Sequence, residues 1–127
     1  MEISTHQHID PKLCGKAVEL ADGYSRVELV TTAQMAVDGK GLVHGGFVFG
    51  LADHAAMIAV NHPNVVLGSA EARFVKPVRV GERVVAEARV DFKEGKKSKV
   101  YVTVERDGES VFDGVFICFN LDRHVLD

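Results

Sequence analysis

No uninterrupted apolar run in this chain is long enough to cross a bilayer. The longest, from His44 to His62, is broken by Asp53 and His54, whereas a spanning helix needs about 20 consecutive apolar residues. Positive charge is not in excess either: 15 Lys and Arg stand against 18 Asp and Glu, for a net charge of −3, so a general nucleic-acid binder is not expected. There are only two cysteines, Cys14 and Cys118, far apart and without CxxC spacing. Free thiols in a reducing cytoplasm fit that pattern better than a disulfide framework. The first residues, MEISTHQHID, lack the apolar core of a signal peptide, which again favours a cytoplasmic location. With no internal repeat and no low-complexity tract, residues 1–127 read as a single domain, an N-terminal segment 1–22 followed by a core over 23–121.

Apolar residues make up 46% of the chain and charged residues 26%, the balance of a soluble globular fold rather than a disordered chain. Lys12 to Leu20 has some helical spacing, and regular structure is expected to begin near Gly23. Residues 24–32, YSRVELVTT, suit a half-exposed strand. Residues 33–43, with two glycines and an Asp-Gly pair, read as a loop. From Gly46 to Val60 apolar side chains fall all round the helical circumference, which predicts a buried helix of about 15 residues. Four strands are expected after it, over 65–75, 83–92, 99–106 and 110–121. Alternation is clear in AEARVDF, where Ala86, Ala88, Val90 and Phe92 oppose Glu87, Arg89 and Asp91. Glu94-Gly95-Lys96-Lys97 and Asp107-Gly108 read as hairpin turns. The expected fold class is therefore α+β, an antiparallel meander curling round one buried helix.

Asp53 is the anomaly in this pattern. Burying an ionised carboxylate without a partner is costly, so an acid among Leu51, Ala52, Ala55 and Ala56 is neutralised by a raised pKa, retained for chemistry, or held as a structural acid by hydrogen bonds to a neighbouring loop. Gly45 and Gly46 stand at the start of the same helix, where the first N–H groups have no intrahelical partner and the dipole is positive. An oxyanion fits such a place, although a glycine pair also serves as a plain helix entry. Gly46 and Asp53 are seven residues apart, about 10 Å along the axis, so one helix cannot bring both to the same atom. Two antiparallel copies could, which favours a two-fold dimer.

The strings GLVHGGFVFGLADHA (41–55) and ARFVKPVRVGER (72–83) resemble the hotdog-fold acyl-CoA thioesterases, most nearly those of the phenylacetic-acid-pathway type. GFVFGLAD, together with EGKKSKVYVTVERDGESVFDG, is also similar to the fluoroacetyl-CoA thioesterases. That branch uses a histidine on the second strand, and none occurs between Val65 and Pro77. The resemblance covers 23–121. It implies a curved antiparallel sheet wrapped around a long central helix, a homodimer or dimer of dimers, an acyl-CoA substrate, and neither cofactor nor metal.

By the same resemblance Asp53 is the general base or the nucleophile. Gly45 and Gly46 of the partner subunit supply the oxyanion hole, and His44 positions the loop or those donors. Ser69 is a near match to the Ser or Thr that some relatives place close to the catalytic acid, and Asp38 stands where some carry a polar residue lining the site. Phe47, Phe49, Met57 and Phe74 are candidates for an apolar tunnel or for plain core. Arg79 and Lys97 are candidates for the coenzyme A phosphates. His54, about 100° from Asp53 on the helix, reads as a packed or interface histidine. A non-catalytic acyl-CoA binding or sensor module of the same fold is the alternative function.

Overall fold

The computed structural model describes residues 1–127. A short helix α1 (Pro11–Cys14) leads into strands β1 (Lys16–Ala21) and β2 (Tyr24–Val30) and a 3-10 turn at Ala33–Met35. The long helix α2 (Gly45–Val60) follows, then β3 (Val65–Phe74), β4 (Arg83–Glu94), β5 (Lys97–Arg106) and β6 (Glu109–Asn120). All strands lie in one antiparallel sheet of order β1-β2-β4-β5-β6-β3. The sheet curls round α2, as expected of a hotdog fold.

The hairpins form where the turn chemistry demands. Asp107 and Gly108 both have positive φ, 51° and 79°, the type I′ geometry whose twist matches the flanking strands. α2 begins at His44, whose ring accepts from the Gly46 N–H, and ends at Asn61 in the left-handed region, with Pro63 just beyond. Its buried side chains pack on a concave wall built from Val27, Leu29, Val84, Val100, Val102, Val104, Phe112 and Phe116. Ala86, Ala88 and Gly114 keep that wall shallow; a Cβ at Gly114 would lie 2.9 Å from the Phe116 ring. Ser25 Oγ ties β2 to the helix by donating to the Ala55 carbonyl at 2.6 Å.

Three expectations change. Regular structure starts before Gly23, because Lys16–Ala21 is a strand paired with β2. A bulge at Val18 turns both Ala17 and Leu20 onto the core; that three-residue step imitates helical spacing. A second bulge, between Val90 and Phe92, pairs Phe92 with Lys99 and leaves it 50% exposed, ending the predicted alternation. Finally, only β4, β5 and β6 form a meander. β3 crosses to the far side and pairs with β6 as an edge strand.

The N-terminal segment straps α2. Ser4 bonds Asn61 through its backbone N–H (2.8 Å) and hydroxyl, and the Asn61 amide donates to the Glu2 carbonyl. Farther back along the helix, His6 and His54 share an Nδ1···Nδ1 hydrogen bond of 3.0 Å with their rings nearly parallel. One ring must donate and the other accept, so the bond cannot survive protonation of both. Burial lowers both pKa values, that of His54 to about 4, with the charge of His6 adding to the effect there. Below pH 6.5 the unfolded chain binds a proton that folded His54 refuses. This contribution to stability is therefore present above 6.5 and lost as pH falls toward 4. Wild type should lose about 2 kcal/mol more than His54→Gln between pH 7.5 and pH 5 in denaturant unfolding; equal losses would refute the assignment.

Candidate active site

Beyond its first turn, α2 is fully buried except at Phe49, Gly50, Asp53 and Val60. Gly46, Gly50 and Asp53 are spaced at i, i+4 and i+7 and share one helical face, which the chain's own sheet leaves partly open. A Cβ at Gly50 would meet nothing within 4 Å, so room remains beside the acid. Asp53 Oδ1 is buried without a hydrogen-bond partner. Burial pushes the Asp53 carboxyl up to about 6. Two thiols lie near enough to feel its charge: Cys118 on β6, raised to about 12 first by burial and then by Asp53, and Cys14 at the end of α1. Desolvation is what sets the direction of the Asp53 shift.

At the other end of this face, the helix entry treats its two glycines differently. The Gly46 N–H donates to His44 Nδ1 at 2.7 Å. The Gly45 N–H, the first of the helix, has no acceptor in the chain. With Nδ1 accepting, a neutral His44 ring carries its proton on Nε2. Phe74 lies against Gly45: a Cβ there would sit 3.1 Å from the Phe74 ring, which itself packs edge-on to Phe112 at 5.2 Å. A mostly apolar slot of about 300 Å³, lined by Val43, Gly45, Val48, Phe74, Val78 and Val111 among others, opens at this point.

The thioesterase superfamily model matches residues 40–112, more than half of the chain. This chain belongs to the thioesterase superfamily. Over 116 residues it is 51% identical to a protein of Aquifex aeolicus named methylthioribose-1-phosphate isomerase, a match covering 91% of this chain and 25% of that protein. It is 37% identical over 80 residues to the transcription factor FapR of Shouchella clausii, across 63% of this chain and 42% of the relative. The chain thus spans less than half the length of either. Among solved structures, an uncharacterized protein from Pyrococcus horikoshii superposes with a TM-score of 0.99 at 54% identity, covering 100% of this chain and 98% of that one. A mutant of the phenylacetic acid degradation protein PaaI from Thermus thermophilus gives 0.79 at 30% identity over 86% and 95%.

In this member of the thioesterase superfamily, the fold brings some of the candidate residues together and separates others. His44, Gly45, Gly46 and Phe74 converge at the helix entry, with Asp53 two turns along the same face. Phe47 is half-buried and stands edge-on to the His44 ring at 6.2 Å. Phe49 borders the open face, packed on Phe116. Met57 is 1% exposed and belongs to the core. Ser69 pairs with Ile117 in the row that faces away from the helix, so it does not stand beside Asp53 within a subunit. Asp38 closes its own turn, accepting from the N–H groups of Lys40 and Leu42.

Arg79 lines a cleft near the helix entry, whereas Lys97 is at the opposite end of β5, paired with Glu94 and Phe119. His54 is packed, as expected. No three His, Cys, Asp or Glu side chains group so as to hold a metal ion, and no helix is long and apolar enough to cross a membrane. The proximity of Cys14 and Cys118 to Asp53 had no sequence signal, since it arises from three distant segments.

A carboxyl raised above its unfolded pKa costs stability wherever it is ionised in the fold, and that cost fades as pH falls through about 6 toward 4. Asp53→Asn should therefore stabilise the protein by about 3 kcal/mol at pH 7.5, with the gain shrinking below pH 6. Thermal melts across pH measure this; a destabilised variant at pH 7.5 would contradict the desolvation account.

Proposed function

We propose that this protein is an acyl-CoA thioesterase, hydrolysing an acyl-CoA thioester to the free acid and coenzyme A. The observation carrying the reading is Asp53: a buried, unpartnered carboxyl on the one open face of an otherwise buried helix, with an unpaired N–H at that helix's entry. A structural acid would be hydrogen-bonded. Retaining a desolvated one costs stability, which selection tolerates where chemistry uses it.

Gly45 and Asp53 of one helix are about 12 Å apart along its axis, so the site is assembled from two subunits. β3 supports this pairing. Its outer edge has no partner strand, and from Gly68 to Phe74 it is exposed on both faces. The opposite edge, β1, is short, bulged and charged, features that discourage further pairing. Two copies of β3 pairing antiparallel would lay their helices antiparallel and bring Asp53 of one subunit to the entry of the other. A dimer of dimers is compatible with the same contact.

In the reaction, Asp53 as general base takes a proton from water while the hydroxyl oxygen adds to the thioester carbonyl carbon. The Gly45 N–H, and the Nε2–H of His44 held in that tautomer by Gly46, stabilise the negative oxygen. Collapse breaks the C–S bond, and the departing thiolate recovers the proton from Asp53. As nucleophile, Asp53 would instead form a mixed anhydride that water then cleaves. The similarity to the transcription factor FapR favours a second reading, a non-catalytic acyl-CoA binding or sensor module.

Thiol-release assays over short, long and aryl acyl-CoAs should show turnover, with kcat rising as Asp53 ionises around pH 6. Asp53→Asn should lower kcat by about 10² to 10⁴, and light scattering should show at least a dimer. Binding of acyl-CoA without release of thiol establishes the sensor reading. Full turnover by Asp53→Asn removes the role given to that residue, and a strict monomer removes the shared site.

A further inference from the structure

We propose that Gly50 is a positioning residue: without a side chain there, two antiparallel copies of α2 cross closely enough for Asp53 of one subunit to reach the carbonyl carbon held at the partner subunit's Gly45. This rests on the shared thioesterase site proposed above and adds what sets its spacing.

Nothing inside the subunit calls for glycine at this position. Gly50 is the sixth of the 16 residues of α2, away from both caps. Its φ is not positive, so no left-handed backbone needs it. A Cβ there would meet no atom within 4 Å, whereas one at Gly114 would lie 2.9 Å from the Phe116 ring. Close packing on the chain's own sheet explains Gly114 and leaves Gly50 without a reason. Glycine in a helix interior is unfavourable relative to alanine, and the small buried positions of the same helix, Ala52, Ala55, Ala56 and Ala59, are all alanine. The constraint on Gly50 therefore comes from outside the subunit.

Its place on the open face says where that constraint acts. Gly50 lies about 6 Å beyond Gly46 and about 4.5 Å before Asp53 along the axis. When Asp53 of each helix stands opposite the partner subunit's Gly45, the two-fold axis passes level with the midpoint of 45 and 53, at Phe49. Phe49 leans to the border of the face and packs on Phe112 and Phe116, which leaves Gly50 beside the axis. The two copies of Gly50 then face each other, and any side chain added to one meets its own duplicate. The occupant of this face is a second copy of the chain, because the unpaired edge of β3 continues the same contact and Asp53 Oδ1 has no partner within the subunit. Packed helices lie about 8–10 Å apart, depending on the side chains at the contact. Glycine at the crossing gives the short end of that range, and a short acid such as aspartate needs it.

Oxidative cross-linking tests the crossing. In a Cys14→Ser background, Gly50→Cys should form a disulfide-linked dimer, since that bond requires Cα atoms within about 7 Å. The background protein, whose remaining Cys118 is buried, should stay unlinked. Kinetics test the spacing. Gly50→Ala should remain a folded dimer by circular dichroism and light scattering, with kcat lowered by about 10 to 10² for short, long and aryl acyl-CoAs alike and KM nearly unchanged. Asp53→Glu should lower kcat in the wild-type background but raise it in Gly50→Ala, because the longer acid spans the wider gap. A residue needed only for folding would not show that rescue. Absence of the cross-link, wild-type kcat in Gly50→Ala, its dissociation to monomers, or a further loss on adding Asp53→Glu each overturn the proposal. So does a loss that grows with acyl length, which would place the acyl chain over Gly50. Absence of turnover by the wild type removes the thioesterase reading and with it the reach of Asp53, whereas the cross-link reports the crossing either way.

Discussion

The structure depends on burying one helix. α2 is apolar on nearly every side, so a flat sheet against one stripe would leave most of its hydrophobic surface in water. The sheet instead curls, and Ala86, Ala88 and Gly114 let it come close. Full burial of each Val, Leu, Ile or Phe in this contact contributes roughly 1.5–3 kcal/mol, enough in sum to carry the helix's short N-terminal strap and its charged passenger. The curl has a topological consequence. It sends β3 to the far edge beside β6, and there β3 keeps an unpaired side near the one helical face the sheet does not cover.

That uncovered face explains why Asp53 is both tolerable and more basic than an ordinary aspartate. Water is largely removed from the carboxyl while nothing in the subunit bonds its Oδ1, so its pKa rises toward neutrality. A carboxyl titrating near 6 is a stronger base than an ordinary aspartate and is still ionised at neutral pH. The helix entry complements it. His44 satisfies the Gly46 N–H through its own ring and leaves the Gly45 N–H unpaired, so the contact that caps the helix uses only one of its first two donors.

Titration acts on α2 in two opposite directions. Neutral His6 and His54 fasten the strap to the helix and resist acid, whereas ionised Asp53 destabilises the fold at neutral pH and is relieved by acid. The two groups are adjacent in sequence yet point to different sides of the helix, one into a packed contact and one toward the open face. Their energies partly offset, so a stability profile of the whole protein would hide both, and substitutions at each position separate them.

Much of the fold was legible in the sequence. The apolar helix, the strands after it and the turns at Asp107-Gly108 and Gly95-Lys96 follow from local periodicity and turn chemistry, which act over a few residues. So did the anomaly of Asp53 and the glycines at the helix entry, since burial of a charge is visible in its neighbours along the chain. β1 was not legible, because the bulge at Val18 breaks a period of two and its residues alone do not report it. Nor was the crossing of β3, the outward register of Ser69, or the distance between Arg79 and Lys97. Each depends on which strand pairs with which, and pairing is set by how the whole sheet closes on the helix. The sequence by itself determined that an acid would lie in an apolar helix. Only the tertiary structure decided that one of its oxygens has no partner, that one glycine N–H is spent and the other unpaired, and that nothing in the subunit fills the space at Gly50, because contacts between distant segments exist only once the chain has folded.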